Sequence, residues 1–168
     1  MDTHTPAPPP RGRRVARAVF VALGLALTAA LATWGLIGPQ GESARDGSGE
    51  VIVDDESYDY AFRAPDIDPD IERALGLIAL AVTLGAAVVA PRTLNAAKSL
   101  TARLVPVAMA VGAGVIIGGG GRIMTAPVIG ANIGAGLVIL FGLPAAALLL
   151  IAAGVLAARW ANGPRPLP

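Results

Sequence analysis

Eleven carboxylates crowd one segment of this 168-residue chain: Glu42, Asp46, Glu50, Asp54, Asp55, Glu56, Asp59, Asp66, Asp68, Asp70 and Glu72. Closely spaced acids are the usual equipment of a calcium site. An EF-hand loop counted from Asp66 would need Gly at its sixth position and Glu at its twelfth, and the chain has Ile71 and Leu77 there. A looser cation site would draw on Asp54, Asp55 and the acids around Asp68. A solvated acidic loop leading into an acidic first helical turn explains the same residues without a ligand, so no metal is expected. His4 is the single histidine and there is no cysteine. Thiolate metal sites, disulfides, a thiol nucleophile and a bis-histidine haem site are therefore excluded within the chain. The run Gly118 to Gly121 lacks the Gly-Lys-Ser/Thr ending of a phosphate loop. No catalytic residue and no cofactor is expected.

The elements that carry these residues are set by hydropathy. The chain is 54% hydrophobic and only 15% charged, against roughly 25% charged in an ordinary soluble domain. A helix crossing a hydrocarbon core of about 30 Å needs roughly 20 mostly apolar residues. Four segments qualify: 18–37, 74–90, 104–118 and 133–158. The second opens on Asp68 as a cap, Pro69, Asp70 and Glu72, all suited to a helix start. Pro91 and Arg92 close it, and Pro106 falls in the first turn of the third. Gly142 and Pro144 mark a kink in the fourth. Between them lie a Pro- and Arg-rich arm (1–17), an acidic loop (38–73), a basic loop (91–103), a Gly-rich connection (119–132) that is either interfacial or re-entrant, and a tail (159–168). The arm and tail read as disordered. The segment around Arg92 to Arg103 has the pattern of a short interfacial helix.

Charge sets the orientation. Arg11, Arg13, Arg14, Arg17, Arg92, Lys98, Arg103, Arg159 and Arg165 are nine of the thirteen basic residues, and all fall on one side of a four-span topology. The positive-inside rule places that side, with both termini, in the cytoplasm of a cell that carries the protein in its plasma membrane. The acidic loop, with a formal charge near −8, lies outside. A competing reading takes 18–37 as a signal peptide cleaved after Ala32. The apolar run continues beyond that point, which favours an uncleaved anchor. The Ala-, Gly-, Arg- and Pro-rich composition resembles that of high-GC bacteria.

Within the spans, small residues recur at packing distance: Ala110, Gly114 and Gly118; Ala81 and Gly85; Gly130 and Gly134. Such stripes let helix backbones approach closely in lipid. No charged residue lies well inside any span, which argues against proton-coupled transport. Asn132 reads as a helix cap, or else as a group lining a cavity. Arg122 reads as a snorkelling side chain reaching the headgroups. In the outer loop, Val51 and Val53, then Tyr58, Tyr60 and Phe62, alternate around Asp54 and Asp55 as in a short β-hairpin. That hairpin would have to dock on the helix ends or on a partner.

The sequence thus predicts an all-α integral membrane protein: a bundle of four transmembrane helices with an acidic extracytoplasmic loop. It is not expected to be an enzyme or to bind nucleic acid. Its expected role is structural or accessory, binding the bilayer and either a larger membrane partner or a second copy. The alternative is a small transporter or channel subunit with 119–132 lining the path and Asn132 and Arg122 in it.

Overall fold

A computed structural model of the chain describes residues 11–38, 61–93, 99–126 and 132–161. Among them every regular element is helical. The helices are α1 (Arg11–Ile37), α2 (Pro69–Thr93), α3 (Leu100–Thr125), α4 (Ile133–Leu137) and α5 (Leu143–Ala161), with a single π-helical turn, Val138–Gly142, joining α4 to α5. Four stretches are long and apolar enough to cross a membrane: Val15–Ile37, Pro69–Arg92, Leu100–Thr125 and Ile133–Arg159. That is the architecture of a multi-pass membrane protein.

The helices alternate in direction, so the end of α1, the start of α2, the end of α3 and the start of α4 share one end of the bundle. α1 is central: it packs on α3, α2 and α5, while α3 and α5 also pack on each other. α2 is peripheral and rests mainly on α1.

The core is built from small residues. Ala26, Ala29, Ala110, Ala113, Ala146, Ala153 and Ala157 are buried, whereas Phe20, Leu27, Leu140, Phe141, Leu148 and Ile151 are exposed. In water this inversion would leave a large apolar surface unprotected. In lipid, large apolar side chains gain nothing by leaving the solvent, and close backbone packing holds helices together instead. A Cβ added at Gly114 would collide with the carbonyl oxygen of Ala26, and one at Gly118 with that of Ala30. Ala110 on the same stripe is fully buried. The Ala110–Gly114–Gly118 stripe therefore seats α3 directly on the α1 backbone.

Several boundaries differ from the sequence reading, each for a local reason. α2 starts at Pro69, as the Asp68-Pro69 pair indicates, five residues before the apolar run opens at 74. Asp68 caps it, its carboxylate accepting from the backbone N–H groups of Asp70 (2.9 Å) and Ile71 (3.3 Å). It also runs past Pro91 to Thr93, although Pro91 has no N–H to give the carbonyl of Ala87. α3 starts at Leu100, because the Ser99 hydroxyl accepts from Ala102 N–H (3.2 Å), and this moves Pro106 into the second turn. The four glycines do not end α3: it continues through them to Thr125. In apolar surroundings the backbone has no solvent to bond to, and a helix is the cheapest way to satisfy it. The first half of the connection expected over 119–132 is therefore helical, and residues 127–131 lie outside the described residues. The fourth span begins at Ile133, and its irregularity is the π turn. The N–H of Leu143 reaches back to the carbonyl of Val138, just before Pro144, whose ring cannot follow a regular turn.

The expected hairpin with Asp54, Asp55, Tyr58 and Tyr60 lies outside the described residues, as do Gly130 and residues 94–98 of the expected interfacial helix, whose two ends belong to α2 and α3.

Candidate functional site

At the end of the bundle where α1 stops and α2 starts, three side chains from three helices meet. Trp34 stands one turn before the end of α1. Glu72 lies in the first turn of α2, and Arg122 in the last turn of α3.

The end of α1 shows why Trp34 matters. Gly38 adopts φ +71°, a left-handed conformation that glycine enters without cost. Its N–H donates to the Trp34 carbonyl (3.3 Å), closing the helix. That carbonyl accepts a second bond from Arg122 Nε (2.8 Å). Both of its lone pairs are thus used, and a cation sits at the negative end of the α1 dipole. The Arg122 guanidinium also lies over the Trp34 ring, with Cζ 4.1 Å from the ring centroid. Its outer nitrogen Nη2 forms an ion pair with Glu72 Oε1. The same Glu72 oxygen accepts a hydrogen bond from Trp34 Nε1. Arg122 is 2% exposed and Glu72 is 7% exposed.

Two corrections follow. Arg122 does not snorkel outward; it points inward, because the Trp34 carbonyl, the Glu72 carboxylate and the indole face converge there. Glu72 is not a solvated member of an acidic turn, and the spans do hold a buried pair of opposite charges near one end.

Glycines make the approach possible. A Cβ on Gly35 would lie 2.6 Å from the carbonyl oxygen of Glu72 and 2.7 Å from Gly76 Cα. One on Gly76 would come within 2.9 Å of Gly35 Cα. α1 and α2 therefore touch backbone to backbone one turn from the ion pair. Gly121 provides the space for the indole: a Cβ there would lie 2.8 Å from the Trp34 ring. Gly120 does the same for Val138. The tetraglycine is filled by neighbouring groups rather than left open.

Asn132 caps α4. Its Oδ1 accepts from Ala135 N–H (2.8 Å), and its carbonyl accepts from Gly136 N–H (3.2 Å). Its Nδ2 is buried without a partner among the described residues. Gly134 lets α4 approach α3, since a Cβ there would meet Ile123 at 2.9 Å. Phe62 lies near this end: its N–H donates to the Met124 carbonyl (3.2 Å), while its ring is exposed. Ala81 and Gly85 face outward on α2, and Gly85 has open space beside it. They do not join the core; Glu72, Gly76, Ala79 and Thr83 form the inward stripe of that helix.

Sequence reasoning missed Trp34, Gly35, Glu72 and Gly76 as a group. One signal was present: an acid near the start of one span and an arginine near the end of another fall at the same bundle end, where opposite charges can pair.

The hydroxyls of Thr28, Thr33, Thr83 and Thr125 all donate to carbonyls of their own helices. Among the described residues no three His, Cys, Asp or Glu side chains converge as metal ligands would. The arrangement joins three helices through Trp34, Glu72 and Arg122. Comparison of the chain with protein-family models, with curated proteins and with solved structures gives no match.

Proposed function

We propose that this chain is a structural or accessory membrane protein, held in the plasma membrane of a bacterium with both termini in the cytoplasm, and that it binds a larger membrane partner or a second copy of itself. The observation that carries this reading is how its polar groups are used. The buried charges, Glu72 and Arg122, are engaged with each other and with Trp34 and tie α1, α2 and α3 together, while the Thr28, Thr33, Thr83 and Thr125 hydroxyls bond back to their own helices. Large apolar side chains face outward on every helix, and the Ala81–Gly85 notch lies among them.

Orientation rests on charge. Arg13, Arg17, Arg92 and Arg159 are exposed at the end opposite the Glu72–Arg122 pair. The acidic loop emerges beside that pair. A cysteine introduced at position 55 of this cysteine-free chain is expected to react with a membrane-impermeant label from outside intact cells. Labelling only after the cells are opened would reverse the orientation.

Native co-purification in mild detergent, with crosslinking in cells, tests the role. A stoichiometric membrane partner or a dimer is expected. A chain that purifies alone and monomeric, and crosslinks to nothing, contradicts the accessory role.

A further inference from the structure

Opposite the Glu72–Arg122 pair, the bundle ends in a basic collar. The four spanning segments converge there on one layer of buried side chains: Ala22 of α1, Ala90 of α2, Val107 of α3 and Ala153 of α5. Just beyond it, Ala18 and Ala157 pack together. Each helix carries an arginine outward from this layer: Arg17, Arg92, Arg103 and Arg159. At about 1.5 Å of rise per residue, these four lie between roughly 3 and 9 Å beyond the layer, so they occupy one narrow band around the bundle. Arg17, Arg92 and Arg159 are exposed and Arg103 is half-buried. Arg13 adds a further exposed charge one turn out on α1. No described acid lies at this end: Asp66, Asp68, Asp70 and Glu72 are all at the other.

We propose that this collar is a binding site for anionic glycerophospholipids, with the phosphate held between arginines of neighbouring helices. The proposal rests on the membrane-spanning reading. What singles out a lipid, rather than a soluble polyanion, is the surface next to the charges. Phe20 and Leu23 on α1, Val88 and Val89 on α2, Leu104 on α3 and Val155 on α5 are exposed within a few residues of those arginines. A ligand fitting both parts must carry a phosphate on one end and acyl chains on the other. Guanidinium groups suit the phosphate, since each presents parallel N–H donors to its oxygens.

The test uses the full chain purified in neutral detergent. Its thermal unfolding is followed while the micelles are doped with phosphatidylglycerol, with phosphatidylcholine, or while glycerol 3-phosphate is added to the buffer. Phosphatidylglycerol alone is expected to raise the midpoint. The triple variant R17Q/R92Q/R159Q is expected to bind it on the order of a hundredfold more weakly, about fivefold for each arginine lost. A triple lysine variant, which keeps the charge, should retain most of the effect and shows that the positions tolerate change. Equal shifts with phosphatidylcholine, a full shift with glycerol 3-phosphate, or an undiminished response in the glutamine variant would overturn the lipid site. Extraction of the chain from membranes by alkaline carbonate would instead overturn the membrane-spanning reading on which it rests.

Discussion

Arg122 holds Trp34 twice: its Nε donates to the Trp34 carbonyl oxygen, and its guanidinium lies over the indole ring of the same residue, 4.1 Å from the centroid. The two residues are 88 positions apart in the chain. Glu72 completes the contact from a third helix by pairing with the Arg122 guanidinium and accepting from the Trp34 indole N–H. The direct packing between α2 and α3 is slight, so the ion pair joins two helices that otherwise meet mainly through α1.

Conservative changes in this cluster should therefore be costly. Arg122→Lys keeps the charge but has no planar fork with which to bond the Trp34 carbonyl and Glu72 together. Trp34→Phe keeps an aromatic face but removes the indole donor, leaving a buried carboxylate oxygen with one bond fewer. Each is expected to lower stability by about 1–3 kcal/mol, measured as unfolding of the detergent-solubilised protein in increasing sodium dodecyl sulfate. An unchanged midpoint in both would show that the contacts carry no weight.

The small residues separate into two classes by what faces them. Gly114→Ala forces a methyl group into the α1 backbone at Ala26 and should cost about 1–3 kcal/mol. Gly35→Ala and Gly76→Ala should behave alike, each opening the contact between α1 and α2. Gly85→Ala meets open space and should leave the unfolding midpoint of the isolated chain unchanged or slightly raised. Its effect is expected in association instead: Gly85→Leu should weaken co-purification without unfolding the bundle. Equal losses of stability at Gly85 and Gly114 would contradict this packing.

Much of the architecture is written locally, and the cluster is not. The four apolar runs declare the four helices, and Asp68-Pro69 announces the start of α2 within two residues. What local spacing cannot encode is which distant side chains meet. Glu72 and Arg122 each look like an ordinary polar residue at the edge of a span, because hydropathy reads each helix alone. The same limit applies to the glycines. Gly76 and Gly85 lie on one helix in equally apolar surroundings, yet only the first is packed. The distinguishing sign is Glu72: a buried acid, one turn before Gly76, marks the inward stripe that continues through Ala79 and Thr83. The tetraglycine misleads for a related reason. Glycine weakens a helix in water by about 1 kcal/mol relative to alanine, but here Trp34 and Val138 occupy the space that side chains would need.

The position of α1 also bears on processing. It touches α2, α3 and α5, and Trp34 lies beyond the Ala30-Leu31-Ala32 motif that resembles a cleavage site. Cutting after Ala32 would take away the helix on which the others pack. The intact mass of protein extracted from membranes is therefore expected to include residues 18–32. A mass corresponding to a chain that begins at Thr33 would contradict the central role of α1.

The coupling between Glu72 and Arg122 tests the central claim, that buried polar groups serve helix assembly, most directly. Glu72→Gln, Arg122→Gln and the double variant are compared by unfolding in detergent. Each single change strands a buried charge and should cost about 3–5 kcal/mol. The double variant should cost less than the two together by about 1–3 kcal/mol. If the two losses simply add, to within about 0.5 kcal/mol, the residues act independently and the assembly account is wrong.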